Sequence, residues 1–374
     1  MEMKIVLVAA LSLALMAAIS RPNIFGAPNI KGSKDVLGNS KVLNLSLAGA
    51  LAGESLDFDP NGEGPYTGVA DGRVLKWQND SHGWTEFATT TTNRLGCYRP
   101  TRPRLEEVCG RPLGIMFEQK SGDLYIDDCY LGLMVAGPEG GLAEQISIEA
   151  DGRLIFFTNH MDIDEEEDII YFTDSSIFYQ IRTYMTMILS GDRTGRFLKY
   201  EKNTKNTTVL LTGLAFPNGV ALSKDKSFVL VAEPTRFRIL RYWLSGPKAG
   251  SSEVFAETPG AVDNIRRNEK GEFWCAMYTK KTFFSYFGFT YPWFGKAILK
   301  LFTFDQLNTL LLGGKPYYGI VIKLSENGEL LEVLEDSKGK KVTFISEARE
   351  RDGKLWLGSI ATPHIGVYDL SQLR

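Results

Sequence analysis

The heptapeptide Asp168-Ile-Ile-Tyr-Phe-Thr-Asp174 carries the pattern that decides the fold of this 374-residue chain. A polar turn leads into a short apolar run with β-branched and aromatic residues, and a polar residue ends it, which is typical of a buried β-strand. Five other runs share this pattern: Gly64-Pro-Tyr-Thr-Gly-Val-Ala70, Gly122-Asp-Leu-Tyr-Ile-Asp127, Ser227-Phe-Val-Leu-Val-Ala-Glu233, Gly271-Glu-Phe-Trp-Cys-Ala-Met277 and Gly353-Lys-Leu-Trp-Leu-Gly-Ser359. Six runs of the same kind predict a repeated β unit.

The spacing of these runs indicates the architecture. Intervals of 59, 46, 59, 44 and 82 residues separate their central residues, which are Tyr66, Tyr125, Tyr171, Leu230, Trp274 and Trp356. A four-stranded propeller blade takes about 40–50 residues, so two intervals match, two contain a lengthened loop and the last contains a long insertion. We therefore expect an all-β fold, a six-bladed β-propeller. The alternative is a β-sandwich or two smaller β domains, although no Pro/Ser-rich linker divides the chain.

The expected propeller spans residues 41–374 and follows a lead-in at residues 21–40. The insertion, at about residues 279–317, precedes the last blade and contains Thr282-Phe-Phe-Ser-Tyr-Phe-Gly-Phe-Thr-Tyr-Pro-Trp-Phe-Gly295, followed by a helical pattern at 296–312. Three placements fit so dense an aromatic cluster: a lid over the propeller face, a contact with a membrane surface, or a hydrophobic plug against the side of the propeller.

Composition argues against several classes of partner and site. The 42 Lys and Arg residues are balanced by 45 Asp and Glu residues, for a net charge of -3, so no basic excess exists to neutralise a nucleic-acid backbone. The chain has three His and four Cys residues, and it contains neither a C-x-x-C nor an H-E-x-x-H motif. We therefore expect no nucleic-acid partner and no zinc site.

The N-terminus predicts entry into the secretory pathway. Residues 5–19 are apolar but too few to span a bilayer comfortably, so residues 1–20 are interpreted as a signal peptide cleaved after Ser20, or alternatively as an uncleaved anchor. N-x-[ST] sequons at Asn44, Asn79 and Asn206 are the predicted glycosylation sites. The expected location is the vacuole, the endoplasmic reticulum lumen or the extracellular space.

The cysteines fit an oxidising compartment. Cys97 and Cys109 enclose a short polar loop that suits a disulfide-closed hairpin or Ω-loop. Cys129 and Cys275 lie inside strand-like runs and are expected to be buried free thiols.

Several further stretches carry the motifs of a known family: Cys109-Gly-Arg-Pro-Leu-Gly114, Tyr171-Phe-Thr-Asp-Ser-Ser176, Phe216-Pro-Asn-Gly-Val-Ala221, Arg238-Ile-Leu-Arg-Tyr-Trp243, Asp263-Asn-Ile-Arg266 and Asp352-Gly-Lys-Leu-Trp-Leu-Gly-Ser359. In these motifs, over roughly residues 40 to 370, the chain resembles the strictosidine synthase-like proteins of plants. It is also similar to the adipocyte plasma membrane-associated protein of animals and, more remotely, to paraoxonase, gluconolactonase and diisopropyl-fluorophosphatase. All are six-bladed propellers, so the resemblance implies this fold and a bridge between Cys97 and Cys109.

The calcium-dependent relatives hold their ion in the central channel with one Glu, two Asn and one Asp from the inner strands of different blades. The resemblance places Glu54, Asn159, Asn218 and Asp263 in those positions. Four oxygen ligands, two of them carboxylates, suit a hard dication, and calcium fits better than zinc. The resemblance therefore implies a calcium site.

Two catalytic candidates follow from the same resemblance. A channel-bound calcium polarises a lactone, ester or phosphoryl oxygen, and Asp263 is our candidate for the attacking or water-activating group. Where a relative has Asn-Asp, this chain has Asn159-His160. His160 is interpreted either as a general base near neutral pH or as a surface substitution without a role.

The chain departs from strictosidine synthase proper at the position of that enzyme's acid/base glutamate. Aligning the Asp352-Gly353 turn places Ser346 there, and a hydroxyl cannot carry protons near neutral pH as a carboxylate does. Glu347 is adjacent, but in an extended strand a one-residue offset turns its side chain to the opposite face.

The sequence thus favours a metal-dependent hydrolase of esters or lactones that acts as a monomer on a small-molecule substrate. Two alternatives stay open at this point. One is condensation of an amine with an aldehyde in the manner of strictosidine synthase, which Ser346 disfavours. The other is a propeller that binds a small ligand without catalysis.

Overall fold

The computed structural model describes residues 29–45, 49–97, 105–311 and 317–373. The predicted signal or anchor at residues 1–20 lies outside these ranges, as do residues 21–28 of the lead-in and residues 98–104 of the cysteine loop.

The described chain forms six blades around a central axis, with strands numbered β1 to β28 along the sequence. From the axis outward, blade one contains β3 (Leu56–Asp57), β4 (Tyr66–Gly68), β5 (Arg73–Asn79) and β6 (Gly83–Thr89). Blade two contains β7 (Pro112–Phe117), β8 (Leu124–Asp128), β9 (Gly132–Ala136) and β11 (Glu144–Ser147). Blade three contains β14 (Thr158–Asp164), β15 (Ile169–Asp174), β16 (Gly195–Glu201) and β17 (Asn206–Leu214).

The second half repeats this plan. Blade four contains β18 (Val220–Leu222), β19 (Phe228–Glu233), β20 (Arg238–Trp243) and β21 (Ser252–Glu257). Blade five contains β22 (Gly260–Arg267), β23 (Phe273–Lys280), β24 (Gly319–Leu324) and β25 (Leu330–Asp336). Blade six contains β26 (Ile345–Arg351), β27 (Lys354–Ser359), β28 (His364–Asp369) and, as its outermost strand, β2 (Lys41–Asn44) from the N-terminal side.

Two short strands extend this ring, and two others form a hairpin. β1 (Lys34–Asp35) pairs in parallel with β25, and β10 (Gly141–Leu142) pairs in parallel with β6. β12 (Glu149–Ala150) and β13 (Arg153–Leu154) form the hairpin between blades two and three. The six-bladed β-propeller predicted from the sequence is confirmed, and each of the six strand-like runs is the second strand of a blade.

The core lies between the blades. Among the described residues, six apolar clusters each join one blade to the next. In the gap between blades three and four, for example, Tyr171 and Phe197 pack against Val229 and Leu240. Successive side chains of a strand point to opposite faces of its blade, and both faces are apolar because each packs against a neighbouring blade. Full burial of one aliphatic or aromatic side chain contributes roughly 1.5–3 kcal/mol, so these contacts stabilise every junction between blades.

Within the described ranges, five α-helices lie outside the blades: α1 (Glu106–Cys109), α2 (Tyr184–Ser190), α3 (Phe283–Thr290), α4 (Pro292–Leu301) and α5 (Phe304–Leu311). The aromatic insertion forms α3 to α5 between β23 and β24, so it interrupts blade five. Thr282 begins α3 as its N-cap, since its hydroxyl accepts a hydrogen bond from the backbone N–H of Ser285 at 3.0 Å. Pro292 is the first residue of α4, where a missing N–H costs nothing.

The cysteines are placed as the sequence suggests. Cys97 and Cys109 form a disulfide with an S–S distance of 2.09 Å. Cys129 and Cys275 are buried free thiols. No helix in the described ranges has the length and apolar character needed to cross a bilayer.

Candidate functional site

Irregular inner strands shape the axial end of the propeller. In four blades the pairing of the first strand shifts, between Pro112 and Gly114, Thr158 and Met161, Val262 and Ile265, and Ile345 and Glu347, and blade five has a further shift between Ala261 and Val262. Such a bulge leaves a residue outside the ladder and changes the direction of its side chain. Leu113, Asn159, Asp263 and Ser346 occupy these bulges, next to the axis.

The four predicted ligands lie together. Glu54, Asn159, Asn218 and Asp263 all line the same cavity, and each is at most 4% exposed. Asn218 Nδ2 donates to Asp263 Oδ1 at 2.5 Å, and the Glu54 carboxyl is close enough to perturb that of Asp263. We call these four residues the oxygen quartet.

The quartet presents free oxygens because its amide nitrogens are already engaged. Asn159 Nδ2 donates to Ser175 Oγ at 3.1 Å, and Asn218 Nδ2 donates to Asp263. Asn159 Oδ1, Asn218 Oδ1 and Glu54 Oε2 are buried and have no hydrogen-bond partner among the described residues. A buried polar atom without a partner costs about 1–3 kcal/mol, so these three oxygens are available to a bound ion, a ligand or water.

Gly219 allows blades four and five to meet at the quartet. A Cβ at this position would lie 2.4 Å from Asp263 O and 2.6 Å from Ile265 N, which is closer than atoms can approach. The absence of a side chain lets the Gly219 N–H donate to Asp263 O at 3.0 Å. This contact holds Asn218 beside Asp263.

The two quartet carboxyls share an environment that disfavours negative charge. Burial raises the pKa of Glu54 to about 7, opposed by the Arg111 guanidinium. Burial, and then the nearby Glu54 carboxyl, raises the pKa of Asp263 well above its usual range. No cation of the chain pairs directly with either carboxylate in the described structure, so a divalent ion would relieve their repulsion.

A second set of buried polar side chains lies next to the quartet, further along the inner strands. Arg266 Nε donates to Glu347 Oε2 at 3.0 Å, and Arg266 Nη2 donates to Ser55 Oγ at 2.9 Å. Although burial opposes it, the Arg266 guanidinium lowers the pKa of Glu347 to about 2. Unlike the quartet, this layer contains its own cation.

His160 belongs to that second layer and does not line the cavity. Its ring is fully buried, so the interpretation as a surface substitution is wrong. His160 Nδ1 accepts the Val220 N–H at 3.0 Å, and Nε2 lies 3.7 Å from Glu347 Oε2. Burial, followed by repulsion from Arg266, lowers the pKa of His160 to about 4, which keeps the ring neutral near pH 7. The His160 imidazole therefore links blade three to the first strand of blade four and helps to position it.

Ser346 and Glu347 occupy different surroundings. Ser346 Oγ donates to Glu54 O at 2.7 Å, so its hydroxyl fixes the backbone of a quartet residue. Glu347 lies on the opposite side, in the ion pair with Arg266, as the strand geometry predicts. Neither residue places a carboxylate in the cavity at the position where strictosidine synthase has its glutamate.

The cavity above the quartet is about 540 Å³ and mostly apolar. Apart from the quartet, its lining consists of the apolar and aromatic residues Leu113, Phe157, Ile181, Tyr184, Met185, Ile188, Phe216, Tyr278, Phe289, Phe304, Leu311, Tyr317, Phe344, Ile360 and Ala361, and the polar residues Glu106, Arg111, Arg182 and Asn308. A volume of this size and an apolar wall with a few polar groups are typical of small-molecule sites.

The helices of the insertion form the roof of this cavity. Phe289 of α3 stacks on Phe237 with ring centroids 5.6 Å apart, and Tyr184 Oη of α2 donates to Asn308 Oδ1 of α5 at 3.0 Å. A Cβ on Gly295 would lie 2.1 Å from Leu189 O, so α4 crosses α2 at a glycine. Of the three placements considered from the sequence, the structure places the insertion as a lid.

Two features of the cavity wall could not be predicted from the sequence: the Arg111–Glu106 pair and the buried Tyr278 hydroxyl. Arg111 Nη1 donates to Glu106 Oε1 at 2.8 Å inside the cavity wall. Tyr278 is buried with its hydroxyl unpartnered among the described residues. Arg111 stands within a quoted motif, but nothing in that motif indicates that its side chain faces the quartet.

Solved structures share the fold of this chain at low sequence identity. A gluconolactonase from Xanthomonas campestris matches with a TM-score of 0.53 and 14% identity, over 90% of this chain and 91% of that one. A luciferin-regenerating enzyme matches with a TM-score of 0.53 and 13% identity, over 88% of this chain and 96% of that one. At these identities the likeness shows the propeller fold alone.

Sequence comparison is more specific. The profile of the strictosidine synthase family matches residues 159–247. Strictosidine synthase-like protein 10 of Arabidopsis thaliana is 56% identical over 331 residues, 88% of this chain and 88% of that protein. The chain belongs to the strictosidine synthase-like family. Strictosidine synthase-like protein 1 of the same plant is 50% identical over 83% of this chain and 78% of that protein. The resemblance seen in the sequence motifs is confirmed.

The three predicted glycosylation sites are sterically open in this strictosidine synthase-like structure. Asn44, Asn79 and Asn206 are all exposed. Their glycosylation stays a prediction.

Proposed function

We propose that this strictosidine synthase-like protein is a divalent-cation-dependent hydrolase of apolar esters or lactones. The observation that carries the proposal is the oxygen quartet, whose three unpartnered buried oxygens lie at the base of an apolar cavity. A hydrolase needs both parts, one to hold and polarise the scissile group and one to bind the rest of the substrate.

The donor set fits calcium. Glu54, Asn159, Asn218 and Asp263 supply oxygen atoms only, and two carboxylates match the charge of a hard dication. Two of the four side chains are amides and none is His or Cys, a donor set that suits calcium better than zinc. When bound, calcium would act as a Lewis acid toward a carbonyl oxygen.

Asp263 is the proposed proton acceptor in hydrolysis. Its carboxyl lines the cavity, where it can accept a proton from a water molecule beside the scissile group. Asn218 fixes the carboxyl through the 2.5 Å hydrogen bond. Water oxygen bonds to the acyl carbon, the ester C–O bond breaks, and the proton taken by Asp263 passes to the leaving oxygen.

His160 is proposed as a positioning residue in place of the general base considered from the sequence. The ring lies outside the cavity lining, and its hydrogen bond to the Val220 N–H fixes the start of β18, directly after Asn218 and Gly219. Its contribution to hydrolysis would be indirect, through the geometry of Asn218.

The cavity wall indicates the substrate class. Aromatic and aliphatic side chains surround the space above the quartet, so an apolar acyl or alkyl portion would be bound by burial. Gluconolactonase is a lactone hydrolase on the same fold, which supports lactones as substrates on fold analogy alone. We also propose a secretory location, since the Cys97–Cys109 disulfide requires an oxidising compartment.

The test combines chelation, mutation and a substrate panel. Purified protein is assayed on aryl esters, lactones and organophosphates with calcium and with chelator, alongside metal analysis. We expect turnover that chelator abolishes and that Asp263→Asn lowers by about 10²-fold or more. Asp80→Asn, which changes an exposed carboxylate at 75% side-chain exposure, is the matched control and should retain activity.

Three outcomes would contradict the proposal. Turnover that survives chelator excludes the calcium requirement. Tight calcium and ligand binding without turnover indicates a binding propeller. Condensation of tryptamine with secologanin indicates synthase chemistry, in spite of Ser346.

A further inference from the structure

The lid helices all lie at one end of the propeller. Successive strands of a blade run in opposite directions, so the second and fourth strands end at the same end of the propeller. The loop between the second and third strands and the loop to the next blade therefore lie at that same end. The segment with α2, between β15 and β16, and the segment with α3 to α5, between β23 and β24, are both second-to-third links. We call this end, where the cavity lies, the lid end.

The lid end exposes large apolar side chains. Phe178 is 67% exposed, Trp293 63%, Leu301 51%, Phe304 51% and Phe283 49%. We call these five residues the aromatic rim. Soluble proteins rarely leave so many bulky apolar groups in water on one face unless that face contacts a membrane or a partner.

Cations that form no ion pair within the described ranges lie among the rim residues, although the Lys281 ammonium lies over the rings of Phe237 and Tyr286. Lys281, Lys296, Lys300, Arg193 and Arg236 form no ion pair with any residue in the described ranges. Residues 281–311 contain three Lys residues and only one acidic residue, Asp305. The lid is therefore positive, although the whole chain carries a net charge of -3.

On α4 the two features occupy one surface. Trp293, Lys296, Lys300 and Leu301 are exposed, while Phe294 and Ile298 are buried against the helices below. An exposed aromatic residue beside exposed lysines is the arrangement found at the membrane–water interface, where Trp lies at headgroup depth and Lys contacts anionic lipid.

We propose that the lid end docks onto the surface of an anionic lipid bilayer, with the aromatic rim at the boundary between headgroups and acyl chains. The unpaired cations supply the charge complementarity. A second copy of this chain fits less well, because a symmetric dimer through this end would place the same cations against one another.

The cavity adjoins the surface that would contact the bilayer. Phe304 belongs both to the rim and to the cavity lining. The apolar cavity thus begins where the bilayer would be, so an apolar molecule dissolved in lipid reaches the quartet without crossing water. The docking itself is independent of hydrolysis, and it stands or falls separately from the proposed function.

The test is co-sedimentation of the full chain with lipid vesicles. One set is pure phosphatidylcholine and the other contains about one third phosphatidylserine. The wild type should bind the anionic vesicles more tightly, and binding should weaken at high salt. At about fivefold per positive charge near the surface, Lys296→Glu with Lys300→Glu should lower the partition coefficient by about 25-fold or more.

The matched control makes the same charge change at the other end of the propeller. Lys270 and Lys354 lie at first-to-second strand turns and are exposed. Lys270→Glu with Lys354→Glu should therefore leave the partition coefficient within about twofold of wild type, since these charges lie far from the surface. All variants keep the same N-terminus, so any binding through the apolar residues 5–19 is common to them.

Fluorescence quenching locates the contact. Brominated lipid should quench the wild type more than Trp293→Phe, because Trp293 would lie among the lipids. Docking is overturned if the wild type does not prefer anionic vesicles, if both double variants bind alike, or if Trp293→Phe leaves the quenching unchanged. Self-association that Lys296→Glu with Lys300→Glu abolishes would assign this end to a dimer instead.

Discussion

Two neighbouring layers of buried charged residues lie at the propeller axis, and they differ in whether a cation of the chain pairs with their carboxylates. Glu347 is paired with Arg266, whereas the Glu54 and Asp263 carboxyls of the oxygen quartet form no ion pair within the described ranges, and nearby Arg111 is paired with Glu106. Burial of charge is tolerated only with compensation. At the scale of single residues, this contrast is why we propose a bound ion in the quartet layer and none in the layer of Glu347.

The raised pKa of Glu54 predicts a pH dependence of stability in metal-free protein. Its pKa is about 7 in the fold against 4.5 for the free side chain, so the fold favours the neutral form. Stability from this group is full below pH 4.5, and about 3 kcal/mol is lost as the pH rises through 7. Urea unfolding from pH 4 to pH 8 in chelator should show this decline in the wild type.

In Glu54→Gln the side chain stays neutral at every pH. The decline above pH 4.5 should therefore be smaller than in the wild type by the Glu54 share of about 3 kcal/mol, with the rest due to other buried carboxyls such as Asp263, and the variant should be more stable than wild type at pH 8. The same substitution at exposed Glu86 is the control and should leave the wild-type profile. An unchanged slope in Glu54→Gln would show that Glu54 is not buried as described.

Removing the charge of Glu347 should destabilise the fold strongly. Glu347→Gln leaves the Arg266 guanidinium, 4% exposed, without its carboxylate. Breaking one side of a buried ion pair costs about 3–5 kcal/mol, which urea unfolding at pH 7 measures. Glu253→Gln breaks the half-buried pair with Arg241, where water reaches both side chains, and should cost much less. Similar losses in both variants would contradict the assigned burial.

At the scale of elements, the site depends on where inner strands leave regular pairing. The bulges in β14 and β22 take Asn159 and Asp263 out of the ladder. Asn218 precedes β18 and is held through Gly219. Regular strands would alternate these side chains between blade interfaces, so the irregularities bring oxygens from distant segments to one point.

Gly219→Ala tests that close approach. The new Cβ would lie 2.4 Å from Asp263 O, so blades four and five must separate. We expect a loss of about 1–3 kcal/mol in the free energy of unfolding and weaker calcium binding by calorimetry. Gly137→Ala, where a Cβ meets nothing within 4 Å, should change neither quantity. Equal behaviour of the two variants would remove Gly219 from the account of the site.

At the scale of the whole molecule, the ring is closed by a strand from the other end of the chain. β2 pairs antiparallel with β28, with Leu43 opposite Ile365. Both residues belong to the apolar cluster between blades six and one. Because a propeller is stable only when every blade has two neighbours, this closure holds the axis and its quartet in place.

Deleting β2 should therefore abolish cooperative folding. Loss of residues 41–44 exposes the edge of β28 and opens the cluster that contains Leu43 and Ile365. Circular dichroism on heating should show no sharp transition, and calcium binding should be lost. Replacing both residues of β1 by glycine is the control, since β1 only extends the outer edge of blade five. A normal transition without β2 would show that blade six closes without it.

The six runs were predicted because strand formation follows local alternation and turn residues. The disulfide and both free thiols were also predicted, since short spacing and strand context restrict them. The quartet was proposed only through family resemblance, because no local pattern relates Glu54 to Asp263. Of the two interpretations of His160, general base or surface substitution, the second is wrong for the same reason, since the burial of His160 depends on strands that are distant in sequence.

The fold, the number of blades, the family and the long insertion could be predicted from the sequence, because they depend on residues close together along the chain or on shared motifs. The place of the insertion over the cavity, the pairing of Arg266 with Glu347, and the hydrogen bonds that engage the amide nitrogens of Asn159 and Asn218 became visible only in the folded chain. Hydrogen bonds and charge pairing at the axis join residues from different blades, and closing the ring is what brings them within contact distance.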